Sequence, residues 1–104
     1  MPHPTSLSTS SDFRRVLAHG RRRDTAAGTV YVAPGPDAAG PARLGLIVSR
    51  RIGGAVARNR TKRRLRAAFR SAWTGIGHDV VIRAAPEART LAFQELEKSL
   101  GGAA

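Results

Sequence analysis

With 104 residues, the chain can build one small domain around one modest core. Its 18 lysines and arginines against 7 acidic residues give a net charge of +11 and a pI near 11.9, a balance that calls for a polyanionic partner. The absence of cysteine excludes disulfides and thiolate metal sites, and no apolar run approaches the ~20 residues of a membrane span.

All the basic residues except Lys62 and Lys98 are arginine, whose planar fork matches phosphate and stacks on bases. A GC-rich coding sequence pushes composition the same way, and both causes act here. Residues 1–10 are Ser/Thr/Pro-rich and read as a flexible lead-in. They lack the basic start and apolar run of a secretory signal, so a soluble, cytoplasmic protein is expected.

Ser10 or Ser11 is placed to cap a short helix through Phe13, Val16 and Leu17, ending near Gly20. Its apolar residues make one face, with Arg14 and Arg15 expected to turn away. Arg21, Arg22 and Arg23 follow as a basic elbow. Thr29 to Val32 reads as a strand, and Pro34 to Pro41 as a loop. Leu44 to Ser49 is apolar on both faces for most of its length and reads as a strand central in a sheet.

Arg50, Arg51 and a Gly53-Gly54 turn lead into the main helix, expected over Ala55 to Trp73. Leu65, Ala68, Phe69, Ala72 and Trp73 form one stripe at helical spacing. At ~100° per residue, Arg60, Arg63, Arg64, Arg66 and Arg70 cluster opposite it, while Arg58 and Lys62 project near its edge. Gly75 and Gly77 should stop the helix. Asp79 to Ile82 reads as a second core strand, Pro86 opens a last helix through Leu91, Leu96 and Leu100, and residues 101–104 should fray. The order implies a single α/β (α+β) domain over residues 1–104, a two-layer sandwich of a small sheet and packed helices, with about 1–10 and 101–104 flexible.

The segment from Arg50 to Arg70 concentrates phosphate-directed donors, and between Ala55 and Arg70 there is no Asp or Glu. The bland alternative, a solvated charged face, would need acidic partners at i,i+4 that are missing. Asn59 sits among the cations as a neutral donor and acceptor. The carboxylates Asp12, Asp24, Asp37, Asp79, Glu87, Glu95 and Glu97 are scattered without metal-ligand spacing, and His3, His19 and His78 have no evident acid–base partner. No catalytic or metal-ligating residue is assigned.

Gly45-Leu46-Ile47-Val48-Ser49-Arg50-Arg51 and the run Gly53-Gly54-Ala55-Val56-Ala57-Arg58-Asn59-Arg60-Thr61-Lys62-Arg63-Arg64-Leu65-Arg66 resemble the bacterial ribonuclease P protein component. Asp12-Phe13-Arg14-Arg15-Val16-Leu17 with Gly20 is similar to that family's opening, and Asp79 to Ile82 to its final strand. The resemblance implies a ribosomal-protein-like fold with a small central sheet, packed helices and a left-handed βαβ crossover, a breach of the usual handedness. It also implies a ribonucleoprotein endonuclease of tRNA processing, in which a catalytic RNA using Mg²⁺ removes the 5′ leader of precursor tRNA.

The protein's part would be to bind both RNAs, with no protein active site and no membrane or DNA partner. By the same resemblance Arg50, Arg51, Arg58, Asn59, Arg60, Lys62, Arg63, Arg64 and Arg66 contact RNA. Phe13, Val16, Leu17 and Tyr31 line a cleft for the single-stranded leader. Leu17 stands where the family often carries Phe or Tyr, and the family's basic lead-in is reduced here to His3. A general RNA-binding or ribosomal protein, and a DNA-binding module, remain alternatives; no zipper heptad or helix-turn-helix pattern supports the second.

Overall fold

Strand pairing begins earlier than the sequence suggests. The computed structural model describes residues 5–101, and in it Thr5–Ser6 already forms a strand, β1, parallel to β4 (Arg43–Ile47). Between them in sequence lie α1 (Ser10–His19), β2 (Arg21–Thr25) and β3 (Gly28–Pro34). After β4 come a 3₁₀ turn (Arg50–Ile52), α2 (Ala55–Ala72), β5 (His78–Ala84), a second 3₁₀ turn (Pro86–Arg89) and α3 (Phe93–Leu100). The sheet order is β1-β4-β5-β3-β2. β4 and β5 are parallel neighbours, so the chain must cross over between them, and α2 is that crossover.

Strand alternation sends side chains to two faces. Val30, Leu44, Val80 and Ile82 point toward α2 and α3 and pack with Leu65, Phe69, Leu96 and Leu100 in the main core. This is the two-layer α/β sandwich. The opposite face carries Tyr31, Ala33 and Val81, over which α1 lays Phe13, Val16 and Leu17.

Several boundaries differ from expectation, each for a physical reason. The lead-in expected to be flexible is engaged from residue 5: the open edge of β4 offers backbone groups, the Leu7 amide donates to the Leu44 carbonyl at 2.8 Å, and Leu7 is buried. Residues 1–4 and 102–104 of the expected flexible ends lie outside the described range. Gly101 caps α3, its amide donating to Glu97 O at 2.7 Å.

The cap of α1 is Thr9 rather than Ser10 or Ser11. Its hydroxyl accepts from the Asp12 amide at 3.3 Å, capping the helix, and donates to the Asp12 carboxylate at 2.7 Å. The basic elbow at Arg21–Arg23 is the edge strand β2. The middle of the sheet is β5, with β4 beside it. Helix α3 begins at Phe93; Pro86 opens only a 3₁₀ turn, and beyond it the carbonyls of Ala88, Arg89 and Leu91 accept from the Arg64 guanidinium instead of continuing a helix.

Candidate nucleic-acid interface

Rotation about α2 sorts its cations. Thr61, Leu65, Ala68 and Phe69 are buried against the sheet, while Asn59, Arg60, Arg63, Arg66 and Arg70 are exposed. Arg66 and Arg70 line a notch against Thr5 and Ser6 on the β1 flank. No ion pair among the described residues involves Arg60, Arg63, Arg66 or Arg70. The first turn of α2 holds no acid, and its cap, Gly54, offers no side chain to the free amides. Arg50 and Arg51 stand exposed in the preceding 3₁₀ turn, whose Ser49 hydroxyl accepts from the Arg51 amide at 3.3 Å.

The remaining cations of the motif are placed differently. Arg58 and Lys62 are half-buried, as their position near the apolar stripe suggests, and Arg58 Nε is shielded without a partner among the described residues. Arg64 is committed inside the protein. Its guanidinium donates to the carbonyls of Ala88 at 3.5 Å, Arg89 at 3.3 Å, and Leu91. Arg89 reaches back the other way, donating to Ile52 O at 3.3 Å. There it lies against Gly53, whose φ of 145° belongs to glycine and where a Cβ would come within 3.1 Å of Arg89 Nη1.

On the other face of the sheet, Phe13, Val16, Leu17 and Tyr31 meet in one cluster with Leu7, Ala33, Ile47 and Val81. Val16 is fully buried and Tyr31 keeps only 7% exposure, so both support the surface from beneath; Phe13 and Leu17 stay partly open. The Phe13 ring lies directly on Gly45, where a Cβ would stand 2.5 Å from Phe13 Cζ. Only glycine admits the ring there.

The structure adds residues that the sequence reading missed. Arg83 projects from β5 with its guanidinium carbon 5.8 Å from the Tyr31 ring centroid, a cation–π contact, and Arg22 faces Tyr31 directly across the β2–β3 pair. Arg83 also lines an open groove of about 340 Å³ with Thr29, Ile47, Ser49 and Arg51. Strand alternation from Val81, the cross-strand neighbour of Tyr31, would have placed Arg83 on this face.

At its far end the same face is locked by charge. Asp79, 1% exposed, accepts from Arg43 in a bidentate pair, Nε to Oδ1 at 2.8 Å and Nη2 to Oδ2 at 2.7 Å, and from Arg15 as well. Arg15 therefore turns inward, contrary to the expectation from α1 alone, and its Nη1 donates to Pro34 O at 3.0 Å. Hydrogen bonding and charge from Asp79 raise the Arg43 pKa above its usual value. The Thr9 hydroxyl, aided by Arg43 and Arg15, lowers that of Asp12.

Chemically, the two surfaces differ. The α2 ridge presents fixed cations spaced along a rigid rod, suited to the phosphates of a folded polyanion. The α1 face combines apolar patches with arginines in a shallow groove, suited to an unpaired strand whose bases stack while its backbone is neutralised. Among the described residues, no helix is long and apolar enough to cross a membrane.

Comparison with known proteins adds the family context. The family model described as Ribonuclease P matches residues 1–104. The Ribonuclease P protein component of Acidothermus cellulolyticus is 41% identical over 104 residues, covering 92% of this chain and 82% of the relative. That of Beutenbergia cavernae is 39% identical over 104 residues, covering 98% and 87%. Among solved structures, the Staphylococcus aureus RNase P protein superposes with a TM-score of 0.74 at 25% identity, over 96% of this chain and 90% of that one. The RNase P protein from Thermotoga maritima shares the fold, with a TM-score of 0.76 at 24% identity over 91% and 90%.

Proposed function

This chain belongs to the ribonuclease P protein component family, and we propose that within the ribonucleoprotein it divides its two surfaces between two RNAs. The family supplies the protein subunit of the ribonucleoprotein endoribonuclease RNase P, so its partner is an RNA. In our reading the α2 ridge, with Arg50 and Arg51 beside it, binds the catalytic RNA. The α1 face, with Phe13, Leu17, Arg83 and the groove beside them, holds the 5′ leader of precursor tRNA. Cleavage belongs to the RNA, with Mg²⁺, and no metal site on the protein is invoked.

The observation that carries this reading is the unneutralised outer face of α2. Four exposed arginines, without a carboxylate partner among the described residues, repel one another in the free protein, and a phosphate array removes that repulsion. The α1 face supports the second half, because Arg83 and Ile47 line an open groove, and Ile47 belongs to the same apolar cluster as Phe13 and Leu17.

Reconstitution of the full chain with its cognate RNA at low Mg²⁺ tests the proposal. The protein should raise precursor-tRNA cleavage, and Phe13→Ala should weaken precursor tRNA relative to mature tRNA. No gain on adding protein would reject the subunit role. Equal loss for both tRNAs would place Phe13 in the core alone and remove the leader from the α1 face.

A further inference from the structure

Val56, on the outer face of the first turn of α2, is 84% exposed. It lines a groove between the start of α2 and the segment joining the second 3₁₀ turn to α3, together with Gly54, Arg60, Arg64, Arg89 and Leu91. The groove measures about 910 Å³, within the ~300–1,000 Å³ range of ligand clefts.

Its walls are fixed by the protein itself. Arg64 crosses from α2 to the carbonyls of Ala88, Arg89 and Leu91, and Arg89 returns to the carbonyl of Ile52 at 3.3 Å. Arg64 thus ties α2 to the opposite wall through both of its Nη atoms, and Arg89 ties that wall to the 3₁₀ turn before α2 through its Nη1. Arg60, at the rim, has no partner among the described side chains and carbonyls. Among the described residues no carboxylate lines the groove, and a Cβ on Gly54, which also lines it, would meet nothing within 4 Å.

A duplex backbone could satisfy Arg60 but would leave Val56 against water or phosphate. An unpaired base satisfies both, since its face covers apolar surface while its own phosphate reaches the cation. We propose that this groove is a subsite for one unpaired nucleobase of the RNA that α2 binds, seated on Val56 and Leu91 with its phosphate on Arg60. This rests on the reading of α2 as the surface for the catalytic RNA. It assigns Val56 as an apolar binding residue, and Arg64 and Arg89 as positioning residues that hold the groove open.

The test measures equilibrium binding of the full chain to its RNase P RNA over a range of salt, with chemical reactivity of unpaired bases read in parallel. Val56→Thr keeps the β-branched shape at a solvent-facing position and makes one methyl polar. It should weaken binding about fourfold at every salt concentration with the salt slope unchanged, and one base protected by wild-type protein should regain reactivity. Val56→Ile, which keeps the apolar surface, should bind as wild type does. Wild-type affinity and protection in Val56→Thr would overturn the subsite. So would a cross-link from position 56 to a second protein chain instead of RNA. Failure of the wild-type chain to bind the RNA would overturn the underlying reading of α2 instead.

Discussion

Around Asp79, Arg15 and Arg43 are drawn into a buried carboxylate, whereas along α2 Arg60, Arg63, Arg66 and Arg70 form no ion pair among the described residues. Both regions are rich in the same side chain, yet one is cement and the other is surface. In the first, the guanidinium fork matches the carboxylate bidentately and ties α1, β4 and β5 together. In the second, the same fork is left to solvent on a helix whose inner face alone is packed. An arginine count therefore measures RNA-binding capacity poorly. What matters is which forks are already filled, and Arg64 is filled although it stands in the middle of the ridge.

The sharpest way to break this contrast is to remove the acid. Asp79→Ala removes a buried acceptor from two partly exposed arginines, and should destabilise the fold by about 2–3 kcal/mol in denaturant unfolding. A loss under about 1 kcal/mol would mean the network is surface decoration.

A paired substitution on α2 sharpens the comparison further. Arg64→Ala should lower stability by about 1–3 kcal/mol, because its charged fork bonds carbonyls on another segment, and should leave the salt slope of RNA binding near wild type. Arg60→Ala should leave stability within about 0.5 kcal/mol and flatten the slope by about 0.7–0.9. Equal slope changes in both would show that Arg64 leaves its carbonyls to bind phosphate.

The smallest effect is in acid. Because the Asp12 carboxyl is held below its ordinary value in the folded protein, its contribution to stability is present above the unfolded pKa of about 3.9. It is lost as pH falls through the lower folded value. Thermal unfolding of Asp12→Asn should therefore fall less steeply below about pH 4 than wild type. An identical acid limb in both proteins would exclude Asp12 from that window.

Much of the fold was legible because its signals are local. The apolar stripe of Leu65, Ala68 and Phe69 located α2 to within one residue of its end, and the run from Asp79 to Ile82 located β5. Less legible was β1, since Thr5 and Ser6 carry no apolar pattern and are a strand only because the edge of β4 is open beside them. The site divides in the same way. Arg60, Arg63 and Arg66 face outward as helical rotation requires. Arg15 could not be placed from α1, because its partner lies 64 residues away on β5. Arg83 was passed over because a single cation in an apolar strand gives no pattern of its own; it gains meaning from Tyr31 beneath it.

By itself, the sequence determined the excess of cations, the acid-free stretch of α2, the periods that set helices and strands, and the motif of the ribonuclease P family. Tertiary structure alone decided which arginines remain available. That decision could not be local: Arg64 finds the Leu91 carbonyl 27 residues on, and Arg23 the Gly101 carbonyl 78 residues on. A donor's fate is set by whichever acceptor the fold brings within about 3 Å of it, and chain proximity does not specify that acceptor.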